Sequence, residues 1–493
     1  MFSLIKGYGD DNPERFSDEL IYLKRDDNVL MYMNDIASAL EVVTGITFLG
    51  GSINTDESQL KTRGTDNEKY IPIEESRLDA ITLKFKIEGM HDKKMKEEII
   101  EKTFLFPKLV NNHYFILNGS RYYPIFQIID SSTYHTATRL TLKTLLMPIV
   151  LQKVPMSFVS NDGEEYVGKC LQLDLFKHKT NVFSYYFAKF GATETLKYFG
   201  FSDEEMQFTY LQGNEELEGW SFFVLKSDGL SLAVRTDLLE GHVLDIVTCI
   251  VQIFGGINVK HENIDDLEFW GKKLGSIFTK NTNNQTEKGE KILISFERIL
   301  DNRTKTVLRV CDEDKSDSFS MCRYMIRNFD KLCKMDNMSL VNKRLRVNEY
   351  LLHPLLIKFS QSTYRLLNSK QITFNALKSI FKTISPGFIV KKLIQNELLR
   401  YHNAVNGIDL FTAAMKFSSR GPQSLSDGGK TVSMKYRGLH PSYMGRLSLT
   451  ATSASDPGLT GVMVPFMKTD GFYFTSAEDG FDVCDDTEEG ELE

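Results

Sequence analysis

The sequence predicts an α+β protein of more than one domain, and three observations carry that expectation. Its 493 residues exceed the roughly 250–300 at which a single hydrophobic core stops growing. The first 115 residues alternate short apolar runs (IYLK, VLMYM, ITFLG, ITLKFKI) with polar turns, the texture of mixed strands and helices. From residue 317 apolar side chains recur every three or four positions, the period of a helix. With 42% hydrophobic and 25% charged residues, the chain has enough apolar side chains to bury a core, which excludes a disordered or low-complexity protein.

Along the chain, HYFILNGSRYYPIFQIID (113–130) reads as a hairpin. Tyr114 to Leu117 enter, Asn118-Gly119 turns because both residues tolerate positive φ, and Tyr122 to Ile129 leave. Residues 180–201 read as two short helices, with Val182, Phe183, Tyr186, Phe187 and Phe190 on one face and Gly191 and Gly200 at C-terminal caps. KNTNNQTEKGEK (280–291) holds no apolar side chain and is expected to be an exposed loop or flexible insertion. Phe319, Cys322, Met325, Ile326, Phe329 and Leu332 predict a helix, and a second helical stretch is expected over about 341–368, bent near Pro354. Residues 401–481 are rich in Gly, Ser and Thr, as functional loops on a scaffold are.

The net charge of −7 is unevenly placed. Residues 469–493 carry ten Asp and Glu and no Lys or Arg, so the preceding 468 residues sum to +3. The six cysteines (170, 249, 311, 322, 333, 484) include no C-x-x-C pair and no nearby His, so reduced thiols are expected and no metal site. No run approaches the roughly 18 apolar residues of a membrane span, and the start lacks a signal-peptide core, so a cytoplasmic protein without membrane contact is expected.

Four segments, in order, resemble the β subunit of cellular RNA polymerases. FILNGSRYYPIFQ (115–127) is similar to the family's F-I-I-N-G-x-E-[RK]-V-x-x-x-Q, without its Glu. DNMSLVNKRLR (336–346) matches D-x-x-x-x-x-N-[KR]-R-[IL]-R, KFSSRGPQSL (416–425) resembles R-x-S-x-x-G-P-x-x-L, and YRGLHPSYMGRLS (436–448) resembles V-R-x-x-H-P-[ST]-x-x-G-[RL]-[VI]-C. After Arg446 the family carries E-T-P-E-G, whereas here TATSASDPGLTG (450–461) puts Ala451 and Ala454 about where the glutamates stand. MKTDGFYF (467–474) is similar to N-E-Y-G-F-L.

The resemblance implies the N-terminal part of a split β subunit, of the kind giant bacteriophages encode. It implies a protrusion-like domain (1–127 and 335–400), an inserted lobe-like domain (128–334), a fork region (401–475) and an acidic tail (476–493). The family's nucleotide-gripping half and its metal-binding aspartates would lie on other chains, and no N-A-D-F-D-G-D run occurs here. Expected partners are the C-terminal β fragment, β′ fragments, a promoter-specificity factor, template DNA and RNA, in the cytoplasm of the infected host. Mg²⁺ would be bound by another subunit, for two-metal nucleotidyl transfer. The contrasting expectation is a non-catalytic DNA-binding transcription regulator that retains a degenerate polymerase module.

Segment 400–446 carries a net +5. By the resemblance, Lys416, Arg420, Lys430, Lys435, Arg437 and Arg446, together with Lys343 and Arg344, are candidates for phosphate contacts that ignore sequence, the alternative being a solvated basic face. Asp427, Gly428, Gly429 and Lys430 are expected in a fork loop near strand separation, or in a plain surface loop. His440 is expected to be a satisfied structural histidine rather than a general acid. Lys343, Arg344 and Arg346 would open the second helical stretch, where the helix dipole disfavours cations, so a phosphate, an acidic partner segment or an intramolecular ion pair should hold them.

Overall fold

The computed structural model describes residue 24 and residues 26–474, apart from 55–75, 92–93, 111–112, 137, 162, 177, 211–218, 226–229, 258, 281, 370–371, 404, 425–431, 433, 454, 465–466 and 468. The fork-loop residues Asp427, Gly428, Gly429 and Lys430, and the acidic tail, lie outside the described residues.

An antiparallel sheet near the N-terminus runs Ile46–Asn54, Leu78–His91, Lys94–Pro107 in that order. Its long hairpin stays in register from Leu78↔Pro107 to His91↔Lys94. Ile81, Leu83, Phe85 and Ile87 alternate at period two and are all buried. Against this sheet pack the helix Asp26–Ala39 and, from far along the chain, the helices Phe374–Lys382 and Phe388–Leu393. Phe85 and Phe381 meet there with ring centroids 4.5 Å apart.

The Asn-Gly hairpin forms as its sequence predicts: Leu117 pairs Ser120, and Asn118 (φ 51°) and Gly119 (φ 71°) both take positive φ. The outgoing strand differs from expectation, because it divides between two sheets. Ser120–Pro124 stays with the hairpin and pairs Leu399–Tyr401, while Phe126–Asp130 joins a six-stranded sheet. Pro124 has no N–H for the ladder, and the next amide, Ile125, donates to the Leu398 carbonyl at 3.1 Å instead.

That six-stranded sheet is ordered Thr460–Val462, Lys416–Ser418, Phe126–Asp130, Lys343–Arg346, Tyr473–Phe474, Thr469–Asp470. Lys416–Ser418 lies parallel to Phe126–Asp130, and the remaining pairs are antiparallel. Strands hundreds of residues apart in sequence therefore become neighbours.

Between residues 133 and 181 lies a five-stranded antiparallel sheet built on the Ile149–Val159/Glu165–Leu175 hairpin. The helix Gly241–Gly256 packs on Glu165–Leu175, and Asp245 from it pairs with Lys153 at 2.7 Å, both side chains being buried. The two short helices predicted over 180–201 are Phe183–Phe190 and Ala192–Tyr198, followed by Gly191 and Gly200 at φ of 85° and 89°. Ser318–Arg327 and Phe329–Cys333 likewise match their predicted period, and Asp317 caps the former by accepting from Ser320 N at 2.7 Å.

Two expectations are corrected. Residues 280–291 are not a loop: Thr282–Asn284 form a 3₁₀ turn and Gln285–Glu297 a helix. A Cβ on Gly289 would stand 2.0 Å from the Gly271 carbonyl oxygen, so this helix and Leu267–Phe278 meet backbone to backbone. A contact made through glycines leaves no apolar stripe to read. The stretch 341–368 is not one bent helix either, since Lys343–Arg346 is a strand, Asn348–Leu351 a single turn and His353–Leu367 the long helix. Pro354 sits in the first turn of that helix, where its missing N–H costs nothing.

Candidate functional site

The six-stranded sheet gathers the segments that carry the resemblance. Gln127, at the end of the first, is fully buried and makes three side-chain hydrogen bonds. Nε2 donates to the carbonyls of Arg420 (2.8 Å) and Pro422 (3.1 Å) in the third segment, and Oε1 accepts from Arg346 Nε (2.7 Å) in the second. Arg346 also donates to Gln423 Oε1 at 2.8 Å and to the Pro422 carbonyl. Three sequence-distant motifs are thus tied at one buried point, which fixes the 420–423 turn on the sheet.

Lys343 and Arg344 do not open a helix. Both lie on a strand with their charges paired inside the chain, so of the three alternatives the intramolecular ion pair is the one observed. Lys343 Nζ meets Asp130 at 2.8 Å with a 5% exposed side chain, and Arg344 grips Glu349 bidentately at 2.7 and 2.8 Å. Glu349 also receives Arg303 at 3.0 Å and lies 3.8 Å from Arg346. Burial alone would raise the Glu349 pKa, but the guanidinium groups of Arg344 and Arg303, with Arg346, outweigh it and hold the carboxylate ionised far below its usual range. Burial lowers Arg346 to about 10. Glu349 went unnoticed in the sequence, where its only signal is a Glu placed three and five residues after two arginines of R-L-R.

His440 has the structural role expected of it. Nδ1 accepts from Ser442 N (3.2 Å) and contacts Ser442 Oγ (2.8 Å), while Nε2 lies 3.1 Å from Asp336, the first residue of the second motif. Ser442 Oγ in turn accepts from Leu340 N at 3.0 Å. The second and fourth segments are thereby joined as well.

Two arginines of the 400–446 segment converge. Arg420 Nη2 stands 2.6 Å from Asp456 Oδ2 and Arg437 Nε 3.5 Å from Asp456 Oδ1. Arg420 keeps 45% of its side chain exposed, whereas Asp456 keeps 16%. Asp456 is held against them by main-chain contacts: Gly458 N donates to the Arg437 carbonyl at 2.9 Å and Ser419 N to the Leu459 carbonyl at 2.7 Å. A Cβ on Gly458 would lie 2.2 Å from the Gly438 carbonyl oxygen, so the close approach requires glycine there. Arg446 donates to the Ser442 carbonyl at 2.8 Å, and Lys416 sits half-buried on its strand. Lys435 falls on the short helix Met434–Arg437, and Lys430 lies outside the described residues.

Asp456 is the second residue that sequence reasoning missed. It is the one acidic residue of TATSASDPGLTG, the segment notable for alanines at the family's glutamate positions. The two guanidinium groups form a cradle around one carboxylate, in which Arg420 makes the close ion pair while Arg437 Nε donates to the Val432 carbonyl at 3.0 Å.

No curated protein matches the chain. A family model described as "non-virion RNA polymerase subunit" matches residues 9–477, nearly the whole sequence, and the chain therefore belongs to that family, as one subunit of an RNA polymerase that other subunits complete.

Proposed function

We propose that the chain is the N-terminal fragment of a split β subunit in a giant-bacteriophage RNA polymerase, and that its fork region holds the nucleic acid of the elongation complex. The observation that carries this is the buried junction of Gln127, Arg346 and the 420–423 turn, reinforced by Asp336 on His440, since the four resembling segments meet in space. A chance likeness of scattered motifs has no reason to interlock through the motif residues themselves. In this reading residues 1–127 and 335–400 form a protrusion, 128–334 a lobe, and 401–475 the fork. The catalytic Mg²⁺ and its carboxylates belong to β′ fragments, and the C-terminal β fragment and a promoter-specificity factor complete the enzyme in the host cytoplasm.

Lys416, Arg420, Lys430, Lys435, Arg437 and Arg446 are the proposed phosphate contacts, with Asp427 to Lys430 near strand separation. Lys343 and Arg344 drop out of this set, because their charges are spent on Asp130 and Glu349. Replacing Arg420, Arg437 or Arg446 by Ala should shorten elongation-complex lifetime chiefly at raised salt, because each lost phosphate contact removes released counterions from the binding free energy. Lifetimes are to be measured on the assembled polymerase across a salt series. Wild-type salt tolerance in all three variants would overturn the assignment.

A further inference from the structure

Apart from the arginine cradle, a cavity of about 490 Å³ opens where three distant parts of the chain meet: residues 130–148, the helix His353–Leu367 and the fork turn at Gln423–Ser424. Its volume falls in the range of small-molecule sites. Much of the wall is apolar, with Leu146, Met147 and Leu356 among its side chains, and Lys143 stands at the polar end. Among the described residues, the ammonium's hydrogen bonding is a single 3.3 Å contact to the Gln423 carbonyl, and the charge rests 4.4 Å from the centre of the Tyr134 ring. An ammonium has three donors, and no carboxylate among the described residues forms an ion pair with this one: neighbouring Asp130 is engaged by Lys343 at 2.8 Å. Burial lowers the Lys143 pKa to about 8; Asp130 opposes this, and Arg346, Arg344 and Lys343 add to it.

The wall beside Lys143 is strained. Gln423 is a non-glycine residue at φ 57°, held by Arg346 through its side chain and by Lys143 through its carbonyl. A partly buried cation with one hydrogen bond and a backbone at positive φ share one cavity with a largely apolar wall. We propose that this cavity is a binding site for a small ligand that carries a carboxylate or phosphate on an apolar body, with Lys143 as its counter-ion. The anion would take the two free donor directions of Lys143, and the apolar body would displace water from the floor. Because Gln423 forms part of the wall, occupancy would brace the fork turn. The inference stands on the cavity alone and does not depend on the polymerase reading.

The probes are 1-naphthylacetate, 1-naphthyl phosphate and the uncharged 1-naphthylacetamide, titrated calorimetrically into the full-length chain with whatever subunits accompany it. Saturable binding of at least one anion is expected, with the amide weaker by about tenfold or more. The better of the two anions identifies the head group. Lys143→Met should weaken the anion by about tenfold or more and leave the amide unchanged. Ile357→Trp, placed at the cavity wall with Lys143 intact, should weaken all three probes. Absence of saturable binding, equal affinity for acid and amide, or anion affinity unchanged in both variants would overturn the proposal.

Discussion

Two clusters of arginine around a single carboxylate occupy this molecule, and they differ chiefly in exposure. In the interior, Arg344, Arg303 and Arg346 surround Glu349, whose side chain is 4% exposed. Nearer the surface, Arg420 and Arg437 face Asp456, and nearly half of Arg420 remains in water. The donor and acceptor chemistry is alike, yet the consequence is opposite. An interior guanidinium cannot exchange its partner without crossing a large desolvation barrier, so the pair becomes scaffold. An exposed one is screened and worth little to stability, so its partner is replaceable by a phosphate at small cost.

The largest effect should come from breaking the interior cluster. Glu349→Gln leaves three guanidinium ions without a counter-charge among the described residues, and should destabilise the chain by about 3–5 kcal/mol in denaturant unfolding. The effect has a pH sign. Because the Glu349 pKa is depressed in the fold, its contribution is complete above the unfolded carboxylate value near ~4.3 and is lost as pH falls from there through the folded value. The gap between wild type and variant should therefore close in acid. A variant as stable as wild type at pH 7 would show that burial does not separate the two clusters.

A middle-sized effect tests the link between them. Gln127→Leu removes the amide that bridges Arg346 and the Arg420 carbonyl, leaving that carbonyl and Arg346 Nε without this partner while the Pro422 carbonyl keeps Arg346. A loss of about 1–3 kcal/mol for each buried group left unsatisfied is expected. Faster amide exchange within residues 418–424 should accompany it. Unchanged exchange there would mean that the turn is held by other contacts.

The smallest effect on stability, under about 1 kcal/mol, is expected at the exposed cluster from Asp456→Asn. Its effect on function should be the more visible one. Losing the internal carboxylate leaves Arg420 and Arg437 free for phosphate, so DNA binding by the assembled polymerase should strengthen, with a steeper dependence on salt. Weaker binding in this variant would identify Asp456 as the residue that orients the two arginines rather than one that competes for them.

Local periodicity and turn chemistry were legible without coordinates. The Asn118-Gly119 hairpin, the glycine-capped helices at 183–198 and the amphipathic run after 317 each follow from contacts within a few residues of one another, so their sequence patterns suffice. That the chain is an RNA polymerase subunit was legible for a related reason, since a motif is a local string. What the sequence did not reveal was decided across long distances. The helix Gln285–Glu297 has no apolar first turn to announce it, because Gly289 packs on the backbone of another helix. The R-L-R run reads as the start of a helix until Ile129 and Tyr473 are seen on either side of Arg344 as sheet neighbours. Whether an arginine belongs to the scaffold or faces nucleic acid depends on how much water reaches it, and that exposure is set by parts of the chain hundreds of residues away.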